Sequence, residues 1–228
     1  MTSNPPVITI DGPSGTGKGS ISLLLAQEMG WHFLDSGALY RVLAYAASKH
    51  QIALDNEQGL ALLATDLDVA FIRSATGKQT DTVFEGEAIT DKIRTPACGL
   101  LASKISVFPA VRSALLERQR EFRQLPGLVT DGRDMGTVVF PEANCKFYLD
   151  ASPEERTRRR YNQLTEKGMP ADRDGIHEAI VERDARDTSR SASPLIPADD
   201  AMVIDTTTLS LDEVFSKVLM HAKLSLGL

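Results

Sequence analysis

Val7-Ile8-Thr9-Ile10 leads, one residue later, into Gly12-Pro13-Ser14-Gly15-Thr16-Gly17-Lys18-Gly19-Ser20, and Ile21-Ser22-Leu23-Leu24-Leu25 follows at once. An apolar strand runs into a glycine loop, and a helix opens there. Four glycines in eight residues keep side chains out of the loop, so successive backbone N–H groups can turn inward around phosphate oxygens. The helix start adds unpaired N–H groups and the positive end of its dipole, while Lys18 brings a mobile charge to the outer phosphates. ATP or GTP is the expected guest. A glycine turn that binds nothing is the plain alternative, and the full glycine–lysine spacing after a strand argues against it.

In the common phosphate loop the hydroxyl residue directly follows the lysine. Here Gly19 intervenes and Ser20 carries the hydroxyl, a form that resembles the nucleoside monophosphate kinases. Ser20 would then face magnesium or a phosphate oxygen, and Gly19 would let the phosphate of a second nucleotide come close.

Composition bounds the remaining possibilities. The 228 residues suffice for one substantial α/β core with small appendages. Hydrophobic content of 42% and charged content of 25% are ordinary for a soluble globular protein. No apolar run approaches the roughly 20 residues that cross a bilayer, so no membrane partner is expected. Met1-Thr2-Ser3-Asn4-Pro5-Pro6 has no basic head and no long apolar segment, which makes the cytoplasm the expected location. A formal charge of −6 argues against a general nucleic-acid binder. Cys98 and Cys145 read as small packing residues. His32, His50, His177 and His221 show no metal-ligand spacing, so no dedicated protein metal site is expected.

Further along, Phe33-Leu34-Asp35-Ser36-Gly37-Ala38-Leu39-Tyr40-Arg41 ends an apolar segment and begins a helix. Ser36 stands at the cap position, and Arg41 lies just inside, within reach of a phosphate. Helix is expected from Ala38 to Ser48, and again from Asn56 to Thr65 with an interruption at Gly59. Leu67 to Ile72 and Thr82 to Glu85 read as β segments around the polar turn Ser74-Ala75-Thr76-Gly77-Lys78. Pro96 and Pro109 each occupy a first helical position, opening helices near 96–106 and 109–124.

Leu128-Val129-Thr130 is a buried strand ending in Asp131-Gly132-Arg133-Asp134-Met135-Gly136-Thr137. Ligands of open parallel sheets gather at the carboxyl ends of strands, so Asp131, Arg133 and Asp134 are well sited. An ion-paired turn with no ligand is the bland account. Lys146 to Leu149 is the next strand, and Ser152-Pro153-Glu154-Glu155 reads as a capping box with proline at the first helical position. Arg156, Arg158, Arg159 and Arg160 wrap most of that helix and cannot all face one ligand. After the break at Gly168 to Asp172, a helix from about Ile176 to Arg190 sets Arg183, Asp187 and Arg190 on one face. Two arginine-bearing helices around a polar break make a lid that would exclude water from a transferring phosphoryl group. Met202 to Asp205 is the last strand, and Ser210-Leu211-Asp212-Glu213 caps an amphipathic helix.

Four stretches together carry a closer resemblance: Gly12 to Ser20, Leu34 to Arg41, Asp131 to Pro141 and Glu182 to Arg190. Over essentially its whole length the chain resembles the bacterial cytidylate kinases. That resemblance implies an α/β fold with a P-loop parallel sheet, an inserted acceptor domain holding a small antiparallel sheet, and a helical lid. Its expected bounds are 1–37, 107–152 and 191–228 for the core, 38–106 for the insertion and 153–190 for the lid. It also implies transfer of the γ-phosphoryl of ATP to CMP or dCMP with magnesium. A monomer is expected, although the sequence does not fix the oligomeric state.

By the same resemblance, Gly12 through Ser20 and Arg159 hold ATP. Ser36, Arg41 and Arg133 hold the CMP phosphate and the reaction centre, beside Tyr40. Ser103, Arg112 and Asp134 read cytosine, Arg183 and Asp187 take the sugar with Arg190 nearby, and Arg94 frames the acceptor site. Lys18, Arg41, Asp131 and Arg133 form the catalytic group, with Ser20 and, through water, Asp131 on magnesium. A kinase for UMP or AMP, and a slow nucleotide-controlled switch, are the competing readings. The absence of an Asn-Lys-x-Asp motif counts against the switch.

Overall fold

The computed structural model describes residues 4–73, 80–190 and 193–228. The turn expected at Ser74 to Lys78 lies outside them. By packing, the chain divides into two compact units, Met1–Phe33 with Arg123–Leu228, and Leu34–Phe122.

The first unit is organised by short strands rich in Val, Ile, Leu and Phe, the composition of a parallel sheet covered on both faces; the three central ones are buried and the two edge strands are partly exposed. The strands are β1 (Val7–Asp11), β2 (His32–Asp35, through which the boundary between the units runs), β6 (Leu128–Gly132), β7 (Cys145–Asp150) and β8 (Met202–Asp205), in the order β2-β6-β1-β7-β8. β1 pairs in parallel with β6 and with β7, and β7 with β8. Helices α1 (Lys18–Met29) and α9 (Leu211–Leu226) lie against the sheet. Ile21 and Leu25 of α1, Val214 and Val218 of α9, and Ile8, Ile10, Val129, Phe147 and Leu149 of the strands form one core. Ser210 and Glu213 make the reciprocal capping box at α9. α7 (Pro153–Glu166) and α8 (Arg173–Ser189) pack on each other.

The second unit, residues 34–122, holds α2 (Ser36–Lys49), α3 (Glu57–Thr65), α4 (Thr90–Ile93), α5 (Pro96–Ile105) and α6 (Pro109–Arg120). An antiparallel sheet of β3 (Val69–Arg73), β4 (Thr80–Phe84) and β5 (Glu87–Ala88) completes it. α3 packs on α6 and α2 on α5, and the Glu57 carboxylate accepts from the Ala110 N–H at the start of α6. Among the described residues no single helix is long and apolar enough to cross a membrane.

Four local expectations need correction. Asp35, not Ser36, caps α2, its carboxylate accepting from the Ala38 N–H. Gly59 does not interrupt α3, because Asn56 caps the helix through the Gly59 N–H. The box expected at Ser152 is only half made: its hydroxyl accepts from Glu155 N–H, but its own N–H donates to Thr207 Oγ1. α8 starts at Arg173, earlier than periodicity placed it, because Asp172 caps it.

Candidate active site

β1 lies at the centre of the sheet, between β6 and β7, and delivers the glycine loop at its carboxyl end. Gly12 leaves the strand at φ +146°, and a Cβ there would fall 2.0 Å from the Leu149 carbonyl oxygen of β7. No side chain fits between the loop and the sheet. Gly17, at φ +91°, opens α1 with no side-chain cap and no acidic residue in the first turn. The leading N–H groups of α1 therefore lack a capping side chain, the arrangement that receives an anion. Lys18 folds back so that Nζ donates to the Pro13 carbonyl at 2.9 Å. Asp131, buried at the end of β6, presents Oδ2 3.8 Å from where a Gly19 Cβ would sit, and Ser20 is exposed.

Next to the loop, Arg133 donates through Nε to Asp187 Oδ2 at 2.5 Å and through Nη1 to the Gly12 carbonyl at 3.3 Å. Arg183 Nε lies 3.7 Å and Arg190 Nη2 3.5 Å from the same Asp187 carboxylate. Burial by itself would raise the Asp187 pKa. The three guanidinium groups outweigh it and hold the carboxyl below its ordinary value. Three positive groups against one negative leave the cluster cationic, as a phosphate site requires. Asp134 is buried just past Arg133.

The arginine run of α7 separates by partner. Arg159 donates to the Thr16 carbonyl of the loop at 3.3 Å, to Thr206 Oγ1 at 3.1 Å and to Glu155 at 2.8 Å. Arg158 pairs with Glu155 and Arg160 with Gln163, both facing outward. Arg156 is 3% exposed and acts inside the protein: it donates to Ala151 and Ser14 carbonyls and pairs with Asp184.

In the second unit, Arg41 donates to the Ile93 carbonyl at 2.9 Å and to that of Thr95 at 3.4 Å. A Cβ on Gly99 would come within 3.1 Å of its guanidinium, so that glycine leaves the arginine its room. The Arg112 guanidinium lies 5.8 Å from the centre of the Tyr40 ring and donates to the Ser106 carbonyl. Ser36 is buried at the first position of α2 and Ser103 is buried in α5, while Arg94 ends α4 on the surface.

Three features escaped the sequence reading. Asp11 accepts from the Met135 and Gly136 N–H groups, and its only signal was a carboxylate directly ahead of the loop. Gly99 and the Arg156–Asp184 pair had none, since each depends on residues distant in sequence. A cavity of about 490 Å³ lies beside Pro13, and Asp150, Asp184 and Asp205 line it. Arg156 lines it as well and is paired with Asp184.

A lysine-bearing glycine loop between a central parallel strand and a helix defines a phosphate-loop nucleotide-binding protein. The sequence matches the family model described as Cytidylate kinase over residues 8–224. It is 56% identical to a cytidylate kinase of Shewanella denitrificans across 100% of both chains. It is also 55% identical to one of Shewanella loihica, across 98% of this chain and 96% of that one. A solved gluconokinase from Sinorhizobium meliloti aligns over 98% of this chain and 95% of its own at 16% identity and a TM-score of 0.47, too distant to carry any argument. The chain belongs to the cytidylate kinase family.

Proposed function

We propose that this protein transfers the γ-phosphoryl group of ATP to CMP or dCMP, giving ADP and CDP or dCDP. The observation that carries the reading is family membership along the full chain, together with a phosphate loop that has a cationic cluster beside it. Phosphoryl transfer needs little covalent help from a protein. It depends on alignment and on positive charge around the equatorial oxygens. Backbone amides from Gly12 to Ser20 would cradle the ATP phosphates, and Lys18, released from Pro13, would follow the γ-phosphoryl group. Arg159, held at the loop by Thr16, would steady the nucleotide.

For the acceptor, Ser36, Arg41 and Arg133 are assigned to the CMP phosphate, with Tyr40 and Arg94 framing it. Ser103, Arg112 and Asp134 are assigned to cytosine, and Arg183, Asp187 and Arg190 to the sugar. The lid is assigned to residues 153–190. Its hinge would fall beyond the first turn of α7, because Arg156 is buried against the loop there.

Magnesium is the ion this chemistry implies. The Ser20 hydroxyl and the buried Asp131 carboxylate facing Gly19 are hard oxygen donors of the kind it takes. Ser20, and Asp131 through water, would hold it alongside the nucleotide phosphates. When bound, it offsets charge on the phosphate oxygens. Two buried free thiols, Cys98 and Cys145, support a reducing, cytoplasmic setting.

Initial rates with CMP, dCMP, UMP and AMP at equal ATP test the proposal. CMP and dCMP should lead. A preference for AMP overturns the base assignment, and ATP binding with no CDP formed points instead to a nucleotide-controlled switch.

A further inference from the structure

We propose that Asp11 is a positioning residue: by accepting the amide N–H groups of Met135 and Gly136, its carboxylate fixes the turn that bears Arg133 and Asp134 against the start of the phosphate loop. The proposal rests on the roles given to Arg133 and Asp134 above.

Asp11 ends β1 and is 5% exposed. Oδ1 lies 2.9 Å from Met135 N and Oδ2 2.8 Å from Gly136 N, so each oxygen serves one amide and the carboxylate cannot pivot without losing a bond. These two amides open a π-helical turn, Met135–Val139, and first-turn amides have no partner of their own in a helix. Asp134 occupies the cap position of that turn, where an aspartate ordinarily accepts such an amide, yet it makes no side-chain cap. Asp11 supplies the cap from a distant part of the chain. Arg133 adds a second tie through the Gly12 carbonyl. The turn is also pressed onto β1, since a Cβ on Gly136 would lie 2.8 Å from Thr9 Oγ1 and 3.2 Å from Lys146 Cδ.

The charge of Asp11 is held against the preference of its surroundings. Burial raises its pKa to about 6 although both amide bonds and Lys18 pull the other way, with Asp134 adding to the rise. Tyr148 on β7 also faces it, and Lys146 borders the turn. Protonation turns one acceptor oxygen into a donor facing an amide N–H, so the tie loosens as pH falls through about 6.

Asp11→Asn in the full chain is the test, because asparagine keeps the shape but sets an NH2 against one amide. Misplacement by about 1 Å costs about a hundredfold in rate. The CMP kcat should therefore fall by about that factor, with KM for ATP within about twofold. Hydrogen exchange at amides 135 and 136 should quicken at least about tenfold, as one bond is lost. The acid limb of the wild-type kcat profile near pH 6 should vanish, while any limb due to the CMP phosphate stays in both proteins. Should Asp11→Asn fail to fold, Asp11→Glu, which keeps the charge but shifts it by a methylene, should show the same loss of kcat and retain a titrating limb. A folded Asp11→Asn protein with kcat and pH profile unchanged overturns the proposal, even if its melting temperature has moved. A wild-type chain that forms no CDP overturns the site assignment and the proposal with it. That case is recognisable because exchange at amides 135 and 136 still responds to Asp11→Asn.

Discussion

The two units offer polar groups to ligands by different means. In the first, the loop after β1 presents main-chain amides whose directions follow from glycine backbone conformations, Gly12 at φ +146° and Gly17 at φ +91°. In the second, the candidate groups are long side chains aimed by carbonyl oxygens, Arg41 by Ile93 and Thr95, and Arg112 by Ser106. A main-chain nest has no rotamers to lose when it binds, whereas each arginine must be held in one rotamer by its neighbours. The loop should therefore fail when its own residues change. The arginines should also fail when something beside them moves.

Lys18→Ala is the largest blow to the loop. It should lower kcat by about 10³-fold while CMP binding, followed by calorimetry, stays within a few-fold. Near-normal turnover would remove the loop from the mechanism.

Asp134→Ala comes next. A pocket built around a base edge loses heavily when one partner goes, so kcat/KM for CMP should drop by about a hundredfold with KM for ATP little changed. Equal losses for both nucleotides would make the residue structural.

Gly99→Ala probes aiming at a distance. The new Cβ, 3.1 Å from the Arg41 guanidinium, should displace it and raise KM for CMP about tenfold, roughly 1.4 kcal/mol. An unchanged KM would show that Arg41 is not aimed by its surroundings, and the contrast between nest and arginines would lapse.

Acid should test the arginine cluster of the first unit. The Asp187 carboxyl is held below its ordinary value, so the stability it contributes is full above the unfolded value and is lost as pH falls through the folded one. Wild type and Asp187→Asn should differ most in melting temperature near neutrality and converge in acid. A constant difference would mean the arginine cluster contributes nothing through charge. Smallest is Asn56→Ala, which removes the α3 cap: about 1 kcal/mol and about 3 °C of melting temperature, with kcat untouched.

Much of this was legible in residue order. The parallel sheet, the loop, the helix starts at Pro96 and Pro109 and the cap at Ser210 each rest on a few neighbouring residues whose allowed backbone angles or periodicity leave little choice. Reading went astray where two candidates stood side by side. Asp35 and Ser36 both suit a helix cap, and only the direction of the chain leaving β2 selects the aspartate. Likewise Ser152 N–H found Thr207, 55 residues away, before Glu155 could take it.

From its sequence alone the chain determined the glycine loop and the strand and helix that flank it, because steric limits on φ and ψ act between adjacent residues and glycine lifts them at known positions. Tertiary structure decided which carboxylate serves which donor. Asp11 meets amides 124 and 125 residues further on, and Arg133 meets Asp187 across 54. Such pairs are set by where the sheet order brings strand ends together, and a buried polar group takes whichever partner packing puts in reach.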